Sequence, residues 1–309
     1  MLIAVIIVNF HSEDYVERCL SEFSRLGRTD LVCIIVDNSP PGCDDIIKSG
    51  FPSTTILRQA ENLGFAAGAN AGIRYALSKG VDFVCLLNPD TLWSDDFLAP
   101  LAQVLIDNPG VGLACPHIVT AQDNPKPWYS GGSISWLKGG PRHSTAPRNC
   151  ENSWREVDYA TGCCMLIRRE VLEQTSLLPE FYFLYFEDAD FSISTRSAGW
   201  TLAYCPTALL IHEISATTKF KSPAYVYYFA RNRIWFMRRW ATTVQFFLFC
   251  LTNTCIRLPI ALVAFGLVDR QLSLVKAFLR GFVDGYRIKP ETAVVRPYRC
   301  GSSSVTKSQ

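Results

Sequence analysis

The chain has 309 residues, 49% hydrophobic and 19% charged, a balance that excludes a disordered polymer and can fill the core of one large domain or two. Its net charge of +2 hides an asymmetry: residues 1–218 hold 15 Lys/Arg against 25 Asp/Glu, and residues 219–309 hold 15 against 3. A basic C-terminal part of this kind suits an anionic surface, membrane or nucleic acid.

The opening MLIAVIIVNF lacks a basic leader and a cleavage site, so it reads as a first strand over 3–8 and not as a signal peptide. Asn9 breaks the run, Ser12 is placed to cap a helix ahead of Glu13 and Asp14, and Tyr15, Val16, Cys19, Leu20 and Phe23 recur at helical spacing. Strands are predicted over 31–36, ending at Asp37, and over 54–57. A helix over 64–79 stopped by Gly80 and a strand over 81–87 come next. Strands alternating with helices give a parallel, doubly wound α/β sheet.

The last of these strands runs into Asn88-Pro89-Asp90. Pro89 cannot continue a ladder, so Asp90 falls at the strand's carboxyl end, where a carboxylate suits either a turn or a hard cation such as Mg²⁺ or Mn²⁺. Asn9, Asp37, Asn88 and Asp90 then share one rim. Asp37 is placed to accept from a nucleobase or ribose, and the Asn62-Leu63-Gly64 corner to turn helix-start amides towards phosphate. Gly64, Gly68 and Gly72 equally suit close packing of a helix. No G-x-G-x-x-G follows the first strand, which argues against an ordinary NAD-binding domain.

A strand is predicted over 111–119. Residues 120–156 are polar, rich in Pro, Gly and Trp and without period, the profile of a binding loop or lid. In it Trp128, Tyr129 and Trp136 suit stacking on a sugar or lipid headgroup, or anchoring of the loop. Strand character returns over 157–167, and a short helix begins at Arg168. In FYFLYFEDAD an apolar wall delivers Glu187, Asp188 and Asp190 to one place. Apolar surroundings and like charges raise a carboxyl pKa as a general base requires, while acids also favour the start of a helix over 188–198. A final strand over 201–211 delivers His212, a structural histidine or a metal ligand. The twelve cysteines show no paired spacing and read as small buried hydrophobes of a reducing compartment.

Beyond Pro223, aromatics alternate with arginines, and residues 244–268 are strongly apolar but contain Gln245, Asn253, Arg257 and Pro259. Internal Arg and Pro favour interfacial or re-entrant helices at a membrane surface; a soluble helical lid or dimer interface is the alternative. Aliphatics among the basic residues speak against nucleic acid. The sequence leaves the oligomeric state open.

With Asp37-Asn38, Glu61-Asn62-Leu63-Gly64-Phe65, Leu87-Asn88-Pro89-Asp90, Glu187-Asp188-Ala189-Asp190 and His212 in this order, the chain resembles the family 2 inverting glycosyltransferases. It looks closest to their bacterial rhamnosyltransferase-like branch over about residues 1–220. The resemblance implies an A-type glycosyltransferase fold, Rossmann-like with a mostly parallel central sheet, over 1–220, while composition makes 221–309 a basic, helical, membrane-associating region. It implies inverting transfer of a sugar, rhamnose on the branch's pattern, from a dTDP- or UDP-sugar with Mg²⁺ or Mn²⁺. The acceptor would be a glycan or polyprenyl-diphosphate-linked sugar, in cell-surface polysaccharide synthesis at the inner face of the cytoplasmic membrane.

Carried over by position, Asn9, Asp37, Asn62, Gly64 and Asn88 would hold the nucleotide sugar. Asn88 stands where the family's first metal-motif acid would be, leaving Asp90 to ligate and making His212 a second ligand. Asp188 is the favoured base with Glu187 as the alternative, and Asp190, Trp128 and Trp136 are candidate acceptor contacts. Competing readings are a sugar nucleotidyltransferase, whose glycine-rich basic loop after the first strand is missing, and an inactive nucleotide-sugar-binding module.

Overall fold

The computed structural model describes residues 1–39, 54–121, 124–213 and 222–292. It forms two compact units, Met1–Ser135 with Gly140–Thr217, and Trp136–Gly139 with Thr218–Gln309.

The first unit begins β1 (Ile3–Asn9), α1 (Glu13–Leu26), β2 (Leu31–Asp37), β3 (Thr55–Arg58), α2 (Gly64–Ser78) and β4 (Phe83–Leu87). It continues β5 (Thr91–Leu92), α3 (Leu98–Asp107), β6 (Val111–Thr120), β7 (Pro127–Tyr129), β8 (Gly132–Ser135), β9 (Gly140–His143) and β10 (Arg155–Val157). It closes with β11 (Cys164–Arg168), α4 (Arg169–Gln174), α5 (Glu187–Ser197) and β12 (Thr201–His212). The main sheet has the order β10-β12-β6-β11-β4-β1-β2-β3. β3, β2, β1 and β4 run parallel, β6 and β12 are parallel to each other, and β11 is inserted antiparallel between β4 and β6.

Continuous apolar runs make the central strands, because both faces of a sandwiched sheet must be dry. Ile3 to Ile7 and Phe83 to Leu87 are buried throughout. α2 packs on β1 and β2 through its glycines: a Cβ on Gly72 would lie 2.5 Å from Ile6 Cγ2, and one on Gly68 3.0 Å from Val8. The packing role of those two glycines is therefore real.

Four local differences from the sequence reading have clear causes. The Ser12 hydroxyl does not cap α1 but donates to the Phe10 carbonyl, while Asn9 Oδ1 accepts from the Ser12 amide. The segment 120–156 is not structureless: β7 adds to β6, and β8 pairs with β9 as a separate hairpin. The predicted strand over 157–167 is split, since β10 ends at Val157 and β11 starts at Cys164. α3 was not anticipated, although Leu98, Leu101, Ala102, Val104 and Leu105 bury one helical face.

The second unit comprises α6 (Pro223–Trp240), α7 (Thr243–Val268) and α8 (Leu272–Arg287). Ser222 caps α6 by accepting from the Tyr225 amide, and Thr242 and Gln245 form a capping box on α7. α8 lies against α6 through Gly281 and Gly285, where a Cβ would meet the Tyr227 carbonyl at 2.3 Å and Ile234 at 2.7 Å. Tyr227 donates to Asp284 and Trp235 Nε1 to the Ile288 carbonyl across the same seam.

The α2 packing is testable. Gly72→Ala gains helix propensity of about 1 kcal/mol but overpacks Ile6 and Val36 at a cost of about 1–3 kcal/mol, so urea denaturation should show a net loss of stability. Gly110→Ala, where nothing lies within 4 Å, should stay within about 0.5 kcal/mol of wild type. Equal stability of the two variants would remove the close-packing account.

Candidate active site

The rim forms because parallel strands end in register. Asn9 and Asp37 are partners across β1 and β2, and Asp37 and Arg58 across β2 and β3. Asn9 Nδ2 donates to Asp37 Oδ1 at 3.0 Å, the Ser39 amide donates to the same oxygen at 3.0 Å, and an Arg58 nitrogen reaches Oδ2 at 3.3 Å. Asp37 is fully buried. This carboxylate is thus held rigidly at the strand end by three donors.

Beside it, the turn into α2 is closed from within. Asn62 Oδ1 accepts from the Gly64 amide at 2.9 Å, and the Phe65 amide donates to the Phe183 carbonyl at 2.8 Å. Gly64 has φ +84, and a Cβ there would lie 2.3 Å from the Phe183 oxygen, so no other residue fits the corner. Two of the amides expected to face phosphate are therefore engaged by the chain itself.

Asp90 and His212 meet because β5 pairs with β12, setting His212 opposite Thr91. His212 Nε2 lies 3.2 Å from Asp90 Oδ1, and the Glu213 amide donates to the Asp90 carbonyl at 2.9 Å. Both side chains are buried. Burial disfavours the His212 imidazolium, but neighbouring Cys163 and Asp90 outweigh it and lift its pKa to about 10. Burial also raises the Cys163 thiol, and the Asp90 carboxylate, 3.2 Å from Nε2, is the acid in contact with the ring. His212 Nδ1 is shut off from solvent and has no hydrogen-bond partner among the described residues.

Among the described residues no group of three His, Cys, Asp or Glu side chains is arranged to hold a metal ion. One carboxylate and one imidazole are present, and the pair becomes a donor set for a divalent cation only once the ring gives up its proton, the cation's other positions being filled from outside the chain.

The acids of α5 separate into three environments. Asp188 is half-buried. Its Oδ2 accepts from Tyr159 Oη at 2.6 Å and from the Gly162 amide at 2.9 Å, and its Oδ1 from the Ala189 amide. Glu187 is 5% exposed, with Oε2 lacking a partner among the described residues. Burial first, then the charge of Asp188, pushes its carboxyl well above the usual range. Asp190 is 1% exposed and accepts from Tyr182 Oη at 3.0 Å. That inward position differs from the expected acceptor contact: the carboxylate fastens α5 to the aromatic segment ahead of it.

These groups form one connected wall. The Trp128 ring meets His212 edge-on at 4.6 Å and His143 at 4.5 Å, and His143 stacks on Tyr159 at 5.8 Å, whose hydroxyl reaches Asp188. The backbone closes the same circuit, since the Asn88 amide donates to the Cys163 carbonyl beside the Gly162 amide that holds Asp188. Trp136 belongs to the second unit and stacks on Phe236. Sequence reasoning missed Tyr159, His143 and Arg58. An aromatic or basic residue in a polar stretch carries no local signal that it will face an acid far away in the chain.

A mostly parallel sheet with one reversed central strand, and acids gathered beyond its carboxyl ends, is the architecture of an A-type glycosyltransferase. Mannosyltransferase PcManGT from Pyrobaculum calidifontis, solved with GDP-Man and Mn²⁺, superposes with a TM-score of 0.56 at 14% identity, covering 92% of this chain and 87% of that one. Residues 4–176 match the model of Glycosyl transferase family 2, and the chain belongs to that family.

Two relatives carry the likeness further along the chain. The low-salt glycan biosynthesis hexosyltransferase Agl10 of Haloferax volcanii is 29% identical over 248 residues, 75% of this chain and 74% of that protein. The N-acetylglucosaminyl-diphospho-decaprenol L-rhamnosyltransferase of Mycobacterium tuberculosis is 26% identical over 240 residues, 70% of this chain and 78% of that protein.

The Asp90–His212 pair makes a pH prediction. The folded-state pKa of His212 is raised from 6.5 to about 10, so its charge adds stability that is fully present below about 6.5 and is lost as pH rises through about 10. In the presence of a chelator, the stability difference between wild type and His212→Gln should be a few kcal/mol near neutrality and shrink steadily towards pH about 10. A difference that grows with pH would show that the imidazole is buried neutral.

Proposed function

We propose that this glycosyltransferase moves a sugar from a nucleoside diphosphate to a hydroxyl of a lipid-linked glycan, inverting the anomeric configuration in one displacement. Support comes from one observation above all, the continuous wall that joins Asp90 and His212 to Asp188. An in-line displacement needs charge compensation on one side of the anomeric carbon and a proton acceptor on the other.

Asp188 is the base. It is the acid of α5 that keeps both some exposure and fixed donors, Tyr159 and Gly162, to orient it. Burial and the adjacent Asp188 charge raise the Glu187 carboxyl, and its Oε2 is shut off from solvent, so Glu187 is the poorer candidate. Asn9, Asp37 and Asn88 line the nucleotide side of the rim, while Asn62 and Gly64 shape the corner that closes it. Asp90 and His212 would hold Mg²⁺ or Mn²⁺, which offsets negative charge growing on the leaving diphosphate. Trp128 supplies an apolar face for the acceptor sugar.

The name of the Mycobacterium tuberculosis relative favours rhamnose as the sugar and an acceptor carried on a polyprenyl diphosphate, with dTDP or UDP as the nucleotide of the donor. The basic second unit suits the cytoplasmic face of a membrane, where such an acceptor is presented in the course of envelope polysaccharide synthesis.

The reading is tested with a panel of nucleotide sugars and a short polyprenyl-diphosphate sugar, following release of nucleoside diphosphate. Asp188→Asn should bind the donor as wild type does and turn over about 10²- to 10⁴-fold more slowly. Normal turnover would take Asp188 out of the chemistry. Tyr159→Phe removes a hydrogen bond that orients the Asp188 carboxylate, so kcat should fall about ten-fold while donor binding stays as in wild type. Unchanged kcat with merely lower protein stability would make Tyr159 a packing residue only.

A further inference from the structure

The helix α7 is apolar enough and, at 26 residues, long enough to cross a bilayer, but its side chains are arranged for a different placement. Its most polar residues are withdrawn and its apolar ones displayed. Asn253 is 4% exposed and donates to Tyr286 Oη, Gln245 is engaged at the helix start, and Arg257 is half-buried. Val244, Phe247, Leu251, Ile256, Ile260, Val263 and Leu267 are all exposed. A helix facing water has the opposite polarity.

The display is also one-sided. Phe249, Asn253 and Ala261 are buried on the other face of the same helix, so α7 is a half-covered rod with an apolar outer stripe. On a regular α-helix a four-residue repeat drifts by roughly 40° per step. Two wide π-helical turns, Asn253–Arg257 and Ala264–Val268, take up extra residues, and the five-residue step from Leu251 to Ile256 crosses the first of them. The stripe stays on one side along the whole length. Leu272, Leu279 and Val283 of α8 are exposed too.

Charge at the two ends decides between crossing and lying flat. Arg238, Arg239 and Trp240 precede α7, with Arg239 set over the Trp240 ring, and Arg270, Lys276 and Arg280 follow it. A single span carries its excess Lys/Arg on the cytoplasmic side alone, whereas here both flanks are basic. Exposed apolar surface of this extent, rimmed by arginine, suits a contact with lipid.

We propose that α7 lies in the plane of one leaflet of an anionic bilayer, its outer stripe among the acyl chains and both of its ends at the headgroups of the same face. The proposal deepens the membrane-surface reading above by naming the face, the residues and the depth. Anionic headgroups pair with the arginines at either end while the withdrawn Asn253 and Arg257 stay within the protein.

The test uses the full chain bound to phosphatidylethanolamine–phosphatidylglycerol vesicles, with a fluorophore on Phe247→Cys, Ile256→Cys or Leu267→Cys in a background cleared of reactive native cysteines. All three probes should be quenched to the same degree by nitroxide lipids labelled near the headgroup, and less by lipids labelled at the chain ends. Quenching of Ile256 by the deep label, with the other two answering to the shallow one, would establish a span and overturn the proposal. So would failure of the unlabelled chain to float with the vesicles, or absence of quenching at all three positions. Nucleoside diphosphate release to a water-soluble acceptor, followed on the same samples, reports on the glycosyl-transfer reading separately, because none of the three positions belongs to the catalytic unit.

Discussion

The arrangement of the catalytic unit depends on the short stretch from Thr161 to Cys163, where the chain enters the reversed strand β11. Its Cys163 carbonyl accepts from the Asn88 amide, and its Gly162 amide donates to Asp188. One end of β4 and the first turn of α5 are thereby tied to three consecutive residues. The antiparallel ladder from Cys164↔Leu87 to Arg168↔Phe83 then fixes the register on which those two bonds depend. A slip of one residue would turn every side chain of β11 to the opposite face and carry Gly162 away from Asp188. The distance between the Asp90–His212 pair and Asp188 is in this sense a property of strand register and not of flexible loops.

The approach to α5 carries strain that is consistent with this demand. Phe183, Tyr185 and Phe186 have φ of 67°, 68° and 77°, in the left-handed region where bulky residues are rarely found. Each costs on the order of 1–3 kcal/mol, and such conformations persist only where surrounding structure over-determines them. Here the Phe183 carbonyl is taken by the Phe65 amide across the gap that Gly64 leaves, and the Phe186 ring lies where a Cβ on Gly140 would be, 2.7 Å from it. Asp190 and Tyr182 close the segment from the other end. The strained run sets Glu187 and Asp188 at the start of a helix while burying the first and leaving the second half-exposed.

How much of this could be read beforehand follows from the range of the interactions. Strand ends are local: an apolar run stopped by Asn, Pro or Asp announces itself, and Asn9, Asp37, Asn88 and Asp90 do lie at the ends of β1, β2 and β4. The acids of α5 and the terminal His212 were also visible, because each follows a long hydrophobic run. Their partners were not. Tyr159 and Asp188 are 29 residues apart, and Asn88 and Cys163 are joined only through the β4–β11 pairing. Asp190 shows the limit from the other side, since three acids within four residues look equivalent in sequence until helix geometry sends one of them inward. Trp128 and Trp136 likewise look alike in sequence, yet they fall in different units.

The second unit shows why hydropathy alone stops short of an environment. An apolar stretch of 26 residues satisfies the core of a soluble bundle and the interior of a bilayer equally well, since both reward the burial of the same side chains. What separates them is where the few polar residues go. In a soluble bundle Gln245, Asn253 and Arg257 would mark the wet side. In α7 Asn253 is buried while Leu267 and Val268 are the most exposed of the large hydrophobic side chains among the described residues. That inversion requires knowledge of the helix's neighbours, which periodicity does not supply, especially when π-helical turns break the period on which such a reading relies. Arg231 follows the same logic within α6: a buried guanidinium held over the Trp235 ring at 4.0 Å and flanked by Tyr227 and Tyr228 keeps its charge inside the unit, on aromatic faces and not in water. Asn253 and Arg231 are thus buried within the unit while the aliphatic side chains of α7 face outward.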